Sequence, residues 1–317
     1  MNLVQMPAKY MYSSYNSWNT ACWNDDSLVQ RWLDIKCAKR HFLRESSSTN
    51  VLDATIMFAL ILSAIALATH VTAHGRITNV TTHSGHVYGG WNPEYAQALD
   101  PPPPLAAWSA SNLGNVFVPP PRFSTPDIIC HRDATPGALH INTTAGDTLT
   151  LQWNEWPVSH VGPVMSYLAA CNGSCTEIDK TKLEWVKIDE LGWLNSSGWD
   201  ELMLGGTWAT NVLIANDFRW RVQVPEGLAE GEYVLRHEII ALHVAEGLGG
   251  AQAYPQCVNL KVTGGGEKKI EGGVLATEIY DMRDVGIWVD VHENIEGYEI
   301  PGPGVWGGAG RVIQPNQ

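Results

Sequence analysis

DTLTLQW (147–153) alternates polar and apolar side chains over seven residues. Successive side chains of an extended strand point to opposite faces, so the pattern describes a strand with one wet face and one buried face. RWRVQV (219–224) repeats the alternation, GEYVLRHEIIALH (231–243) is a longer β-rich run, and QCVNLKVTG (256–264) reads as a closing strand. Short runs of this kind, separated by Gly, Pro, Asn and Asp and with few helical periods, predict an all-β protein. The architecture expected is an antiparallel β-sandwich of the immunoglobulin or fibronectin III type. Residues 74–317 exceed a minimal sandwich, so long loops must decorate it; the candidates are 83–125, with PPPP at 101–104 and PPP at 119–121, and 265–317. The last residues fade out in Gly, Pro and Gln and read as a poorly structured tail, and no Cys-rich module follows Cys257 to serve as a small disulfide-stapled binding domain.

Upstream, MFALILSAIALATHVTA (57–73) has a methionine, an apolar run from Phe58 to Ala68 and small residues at Val71 and Ala73. That is the make-up of a secretory signal with its cleavage site. The run is too short to span a bilayer, which needs about 20 residues. Cleavage after Ala73 leaves 74–317 as the mature domain, beginning with His74. Residues 1–56 show no sustained hydrophobic period; they read as a leader produced by a wrongly assigned start, the alternative being a cytoplasmic tail on a signal anchor. Secretion agrees with sequons at Asn79, Asn142, Asn172 and Asn195 and with an even cysteine count after residue 73. Cys171 and Cys175 enclose a short loop and most simply pair with each other, leaving Cys130 with Cys257.

The whole chain of 317 residues carries 20 Lys+Arg against 33 Asp+Glu; residues 1–73 hold six of the former and five of the latter, leaving a net charge near −14 on the remainder. Such a surface disfavours nucleic acid and anionic membranes as partners. The chain is expected to act as a monomer.

An amino-terminal histidine has chemistry of its own. A free α-amino group has a pKa of about 8 and sits close to its own imidazole, so both nitrogens can grip one metal ion. Binding needs the amine deprotonated, so affinity should fall with pH. Elsewhere, His160 follows a strand and a proline turn in WPVSHVGPV (156–164), at a loop tip that can face a surface ion. His243 closes LRHEIIALH (235–243), and Gln252 and Tyr254 share one strand parity in GGAQAYPQC (249–257). His83, His86, His131, His140 and His292 lie in loop-like or mixed contexts without metal spacing and read as surface or locally hydrogen-bonded, and His237 as structural. Trp153, Trp156 and Trp220 sit in strand-like runs and read as core.

Six segments together carry a resemblance. HGRITNV (74–80), TPDIICHRDATPG (125–137), WPVSHVGPV (156–164), LRHEIIALH (235–243), GGAQAYPQCVNL (249–260) and YEIPGPGVW (298–306) resemble, in order, the fungal lytic polysaccharide monooxygenases of auxiliary activity family 9, formerly glycoside hydrolase family 61. The resemblance implies a single copper ion held in a histidine brace: the amine and Nδ1 of His74, a ring nitrogen of His160, and Tyr254 on the axis. Three nitrogens with a weak axial oxygen suit tetragonal Cu(II). His243 and Gln252 match the residues beside the metal that hydrogen-bond an oxygen species and relay a proton. Tyr298 matches a position on the substrate-facing surface, with Tyr88 and Trp91 as weaker candidates. The implied activity is oxidative cleavage of cellulose or a related β-1,4-glucan by hydroxylation at C1 or C4. It consumes hydrogen peroxide or O₂ and electrons from a small reductant or a partner like cellobiose dehydrogenase. The reaction needs no pair of carboxylates flanking a glycosidic bond, and no persuasive pair stands out. A non-catalytic copper- or polysaccharide-binding sandwich is the other reading, but it has no use for His243, Gln252 and Tyr254 together. Two departures stand out: Ala253 where the family often has an aromatic, and a loose likeness over 280–297. Both bear on substrate preference more than on the metal.

Overall fold

A computed structural model describes residues 75–197, 204–293 and 295–317. His74, the signal at 57–73 and the leader at 1–56 lie outside the described residues. The strands are, in chain order, β1 (Ile77–Thr81), β2 (Val87–Gly89), β3 (Ile141–Thr144), β4 (Thr148–Trp153), β5 (Val164–Ala170), β6 (Glu184–Leu191) and β7 (Trp193–Asn195). They continue with β8 (Thr207–Trp208), β9 (Arg219–Gln223), β10 (Gly231–Ala241), β11 (Gln252–Ala253), β12 (Gln256–Thr263) and β13 (Val274–Leu275). One sheet runs β2-β1-β4-β9, and a larger one runs β13-β6-β5-β10-β12-β3 with β11 added to the end of β10. The pairings are antiparallel except β12 with the edge strand β3. This is the expected β-sandwich, with one parallel pair at its rim.

The two sheets differ in burial, and the sequence pattern shows why. In β4, Leu149, Leu151 and Trp153 are fully buried while Thr148, Thr150 and Gln152 are half exposed. Its inward residues meet Trp220 and Val222 of β9 and Val164, Leu168, Leu235 and Ile239 of the other sheet. Strand β10 is buried continuously from Tyr233 to Ala241, because both of its faces are covered. Its second face packs on a layer from the long segments: Trp108, Phe123, Ile128, Tyr280, Ile287 and Val291. The segments expected as decoration are thus the lid of a second hydrophobic core.

That second layer is locked by charge. Arg236 and Glu238 are both fully buried and joined by two bonds of 2.7 and 2.8 Å. Arg236 also donates to the carbonyls of Ile128 (2.9 Å) and Ile129 (2.8 Å), and the Tyr280 hydroxyl donates to Glu238. Such a pair is costly to bury but more costly to break, since removing one partner leaves an unpaired charge. The disulfide Cys130–Cys257 ties the same loop layer to β12, and Cys171–Cys175 closes the short loop after β5. The C-terminal tail is docked, which corrects the expectation of a loose end. Gln314 is 3% exposed and bonds both the N–H and the C=O of Arg221, in the manner of an added strand on β9.

Two buried histidines set the acid stability. Burial, with the Arg236 charge adding to it, pushes His237 down to about 3. Burial pushes His131 down to about 4, against the hydrogen bond from its ring to the Val116 carbonyl. Both folded-state values lie below the ordinary 6.5, so the unfolded chain takes up protons first and stability drains as pH falls below that value. Each histidine is expected to cost about 2 kcal/mol at pH 5 relative to neutral pH. Asp189, which accepts from Trp220 Nε1, opposes them: burial raises its carboxyl to about 6, so its penalty shrinks as pH falls toward 3.8. The melting temperature should therefore drop between pH 7 and pH 5, and His237→Gln should flatten that slope in calorimetry. Identical slopes in the two proteins would remove His237 from the account.

Candidate metal centre

The site is assembled where three segments leave the large sheet. After β4 the chain turns through Asn154–Ser159 around Trp156, whose Nε1 donates to the His160 carbonyl at 2.7 Å, while His160 N donates to the Pro157 carbonyl at 3.0 Å. His160 is thereby held on a closed turn, 7% exposed. At the end of β10, Leu242 N donates to the Val161 carbonyl at 2.8 Å, which sets the next residue, His243, beside His160. Gly162 makes this approach feasible: a Cβ there would lie 1.9 Å from the Ile240 carbonyl oxygen. The two imidazoles stack with centroids 3.8 Å apart and planes inclined by 26°.

The third segment is β11. Ala253 and Gln252 pair with Ile240 and Ala241, and Tyr254 N donates to the Ile239 carbonyl at 2.9 Å. Tyr254 then points inward, 2% exposed, and its hydroxyl donates to Gln252 Oε1 at 2.8 Å. Trp156 links the parts, lying edge-on to Tyr254 at 5.0 Å and to His160 at 6.1 Å. Burial raises the Tyr254 phenol well above its usual range, so it stays a neutral hydroxyl. Four of the five residues expected at the centre, His160, His243, Gln252 and Tyr254, are thus gathered by pairing onto one end of β5 and β10; the fifth, His74, precedes the first described residue.

The donor set suits a nitrogen-preferring metal. Ser159 Oγ engages His160 Nδ1 at 3.1 Å, so a metal at this ring is met through Nε2. The four cysteines of the described residues are all in disulfides, and no thiolate is offered. His140, Glu232 and Cys175 also converge, with ligand atoms within 4.8 Å of one another. There, Cys175 Sγ is bonded to Cys171, and Glu232 Oε2 already meets His140 Nε2 at 2.8 Å and Cys175 N at 2.9 Å. That trio is a histidine–carboxylate contact beside a disulfide.

The aromatics expected to meet substrate are each hydrogen-bonded into the framework. Tyr88, in β2, packs on the inter-sheet core and accepts from Asn142 N. Trp91 is half-buried and donates to the Ala110 carbonyl at 2.8 Å. Tyr298 lies edge-on to Trp208 at 4.8 Å, with its hydroxyl donating to the Gly286 carbonyl at 2.6 Å. Each is tied into the framework and none stands as a free platform. Trp288 does stand out: it is 50% exposed, and its Nε1 donates to the carbonyl of Glu246, three residues beyond His243. Val244 and Leu248 in the same turn are exposed too, and His292 Nε2 donates to the His243 carbonyl at 2.9 Å. Trp288 lies in the stretch that departs from the family pattern; the signal was an aromatic set among acids without strand alternation. Of the sequons, Asn142, Asn172 and Asn195 are exposed, while Asn79 is half-buried within β1.

Comparison with known proteins agrees with this geometry. The model of auxiliary activity family 9, formerly glycoside hydrolase family 61, matches residues 74–298. An AA9 family lytic polysaccharide monooxygenase A of Malbranchea cinnamomea is 46% identical over 248 residues, 78% of this chain and 72% of its own length. A lytic polysaccharide monooxygenase I of Botryotinia fuckeliana is 45% identical over 259 residues, covering 81% of this chain and 94% of that protein. Among solved structures, the extended catalytic domain of H. jecorina LPMO9A superposes with a TM-score of 0.72 at 42% identity, over 77% of this chain and 96% of that one. Placed beside the residues gathered at the end of β10, these matches show that the chain belongs to auxiliary activity family 9 and is an oxidoreductase that cleaves polysaccharides oxidatively.

Proposed function

We propose that this chain is a secreted, copper-dependent monooxygenase that cleaves cellulose or a related β-1,4-glucan by hydroxylation at C1 or C4. The observation that carries the reading is the stack of His160 on His243 above the hydrogen-bonded Gln252–Tyr254 pair. The metal would be held by His160 Nε2, by the amine and ring of His74 once the signal at 57–73 is cut, and weakly by the neutral Tyr254 hydroxyl. Bound there, one copper ion supplies the redox chemistry, using electrons from an external donor and hydrogen peroxide or O₂ as oxidant.

The protein residues do the rest. Because Gln252 Oε1 accepts from Tyr254, the Gln252 NH₂ is the part of the amide that would donate to an oxygen at the centre. His243 is held by β10 behind it and by His292 at its carbonyl, and its ring edge can hold or deliver a proton there. Trp156 and Phe117 pack against the Tyr254 ring and would keep water from the side of the site that Tyr254 closes. The glucan would lie across the open face, with Trp288 under a sugar ring. Among the described residues no helix is long and apolar enough to cross a membrane. This agrees with an extracellular enzyme, which we take to work as a monomer on carbohydrate and not on nucleic acid or membranes.

The test is expression from Met57, mass spectrometry to find a chain starting at His74, and incubation with copper, a reductant, peroxide and amorphous cellulose. Aldonic acids or 4-ketoaldoses are expected, and their absence across several β-glucans overturns the proposal. Trp288→Ala should weaken adsorption to cellulose by about 1 kcal/mol, several-fold in the binding isotherm. Trp288→Phe should recover most of it. An isotherm unchanged in Trp288→Ala would place the glucan elsewhere.

A further inference from the structure

The residues immediately after His74 are held in an unusual way. Where β1 begins, the register against β4 shifts between Ile77 and Asn79, so the backbone ladder is interrupted there. Side-chain amide oxygens stand in for the missing ladder acceptors. Arg76 N donates to Asn154 Oδ1 at 2.7 Å, and Asn154 N returns a bond to the Arg76 carbonyl at 3.0 Å. Ile77 N donates to Gln256 Oε1 at 2.7 Å. Gly75 completes the fit, since a Cβ there would lie 2.1 Å from the Glu155 carbonyl oxygen and 3.1 Å from Trp153 Cε3.

These two amides have telling positions. Asn154 opens the turn that carries Trp156 and His160, and Gln256 lies two residues after Tyr254. The start of the domain is therefore tied by one amide to each of the other ligand-bearing segments. Backbone ladders join β1 only to β2 and β4 of its own sheet; the two amides tie its start to the turn after β4 and to β12 of the other sheet. We propose that Asn154 and Gln256 are positioning residues of the metal centre, fixing the place and direction of the terminal nitrogen relative to His160 and Tyr254. The inference rests on His74 as a ligand. Its physical basis is that a coordinating group must be held to within about 0.5 Å, and groups that orient ligands typically influence metal affinity about 10–100-fold.

Asn154→Ala and Gln256→Ala, made in the chain that begins at His74, test it. The readouts are Cu(II) affinity by competition titration, the Cu(II) electron paramagnetic resonance spectrum and the melting temperature of the metal-free protein. Each variant is expected to bind copper about tenfold or more weakly, with altered g and hyperfine values. Asn154→Asp and Gln256→Glu keep the acceptor oxygen and should restore both. Asn154 is exposed, so its alanine variant keeps the fold. Should Gln256→Ala melt too early to titrate, Gln256→Met has nearly the same length without an acceptor and carries the same expectation. If the parent binds copper in a tetragonal nitrogen site and the variants match it in affinity and spectrum, the positioning role is wrong while the copper reading stands. If the parent shows no such site, both fall together.

Discussion

A chain with one extra alanine ahead of His74 is expected to bind Cu(II) more than about a hundredfold more weakly than the chain that begins there, beyond the upper range for changes outside the ligand shell. The reason is chemical. An α-amine with a pKa of about 8 gives up its proton readily and coordinates as a neutral nitrogen, whereas the lone pair of an acylated nitrogen is delocalised into the carbonyl and makes a poor neutral ligand. The variant also loses the chelate ring between the amine and Nδ1, so the remaining nitrogens bind as separate ligands. The fold should not notice: the first β contacts begin at Ile77, and neither core includes a residue before it. Equal melting temperatures for the two metal-free proteins, with copper affinities far apart in titration, are the expected result. Equal copper affinities would sink the brace, and the catalytic proposal with it.

What could be read before the structure divides by range along the chain. Strand β4 was legible because one-sided burial imprints a period of two on seven consecutive residues. β10 was legible as a β-rich run but not as a doubly buried strand, because its second face is covered by segments remote in sequence, some well before it (Trp108, Phe123, Ile128) and some after it (Tyr280, Ile287, Val291). For the same reason the stretches 83–125 and 265–317 looked like decoration: nothing local marks Phe123 or Tyr280 as the roof of a core. Cys171–Cys175 followed from proximity, and Cys130–Cys257 followed as the remaining pair.

The candidate centre is a harder case. His160, His243 and Gln252 lie on three segments that meet only because β10 pairs with β5 on one side and β11 folds back on its end. No periodicity within one segment encodes that meeting, so the resemblance, and not the spacing, pointed to these residues. The aromatics show the converse. Tyr88, Trp91 and Tyr298 have the right residue type, but exposure is decided by neighbours remote in sequence, and their neighbours leave them half-buried. Trp288 is exposed on a loop that crosses the turn after His243, tied there by Trp288 Nε1 to the Glu246 carbonyl, Val289 N to the Ala245 carbonyl and His292 Nε2 to the His243 carbonyl.

The second large effect expected is catalytic and leaves the metal in place. Gln252→Glu keeps the acceptor for the Tyr254 hydroxyl but replaces the NH₂ donor with a carboxylate oxygen. His243→Ala removes the ring that stacks on His160 and can carry a proton. A positioned proton donor or relay is typically worth about 10²–10⁴ in rate, so each variant should lose at least about a hundredfold in oxidised product per copper. Copper affinity should change by only a few-fold, because neither side chain is a ligand. Gln252→Leu is the less informative substitution, since it strands a buried phenol and adds a stability loss of about 1–3 kcal/mol to any catalytic one. The pair also makes a sharper statement together. If His243 and Gln252 serve one oxygen species as a unit, the double variant should fall little below the slower single variant instead of showing the product of the two losses. Independent, multiplying losses would mean that the two act at different steps. Turnover within about threefold of the parent in both single variants, well short of the range for proton relays, would reduce them to packing around His160.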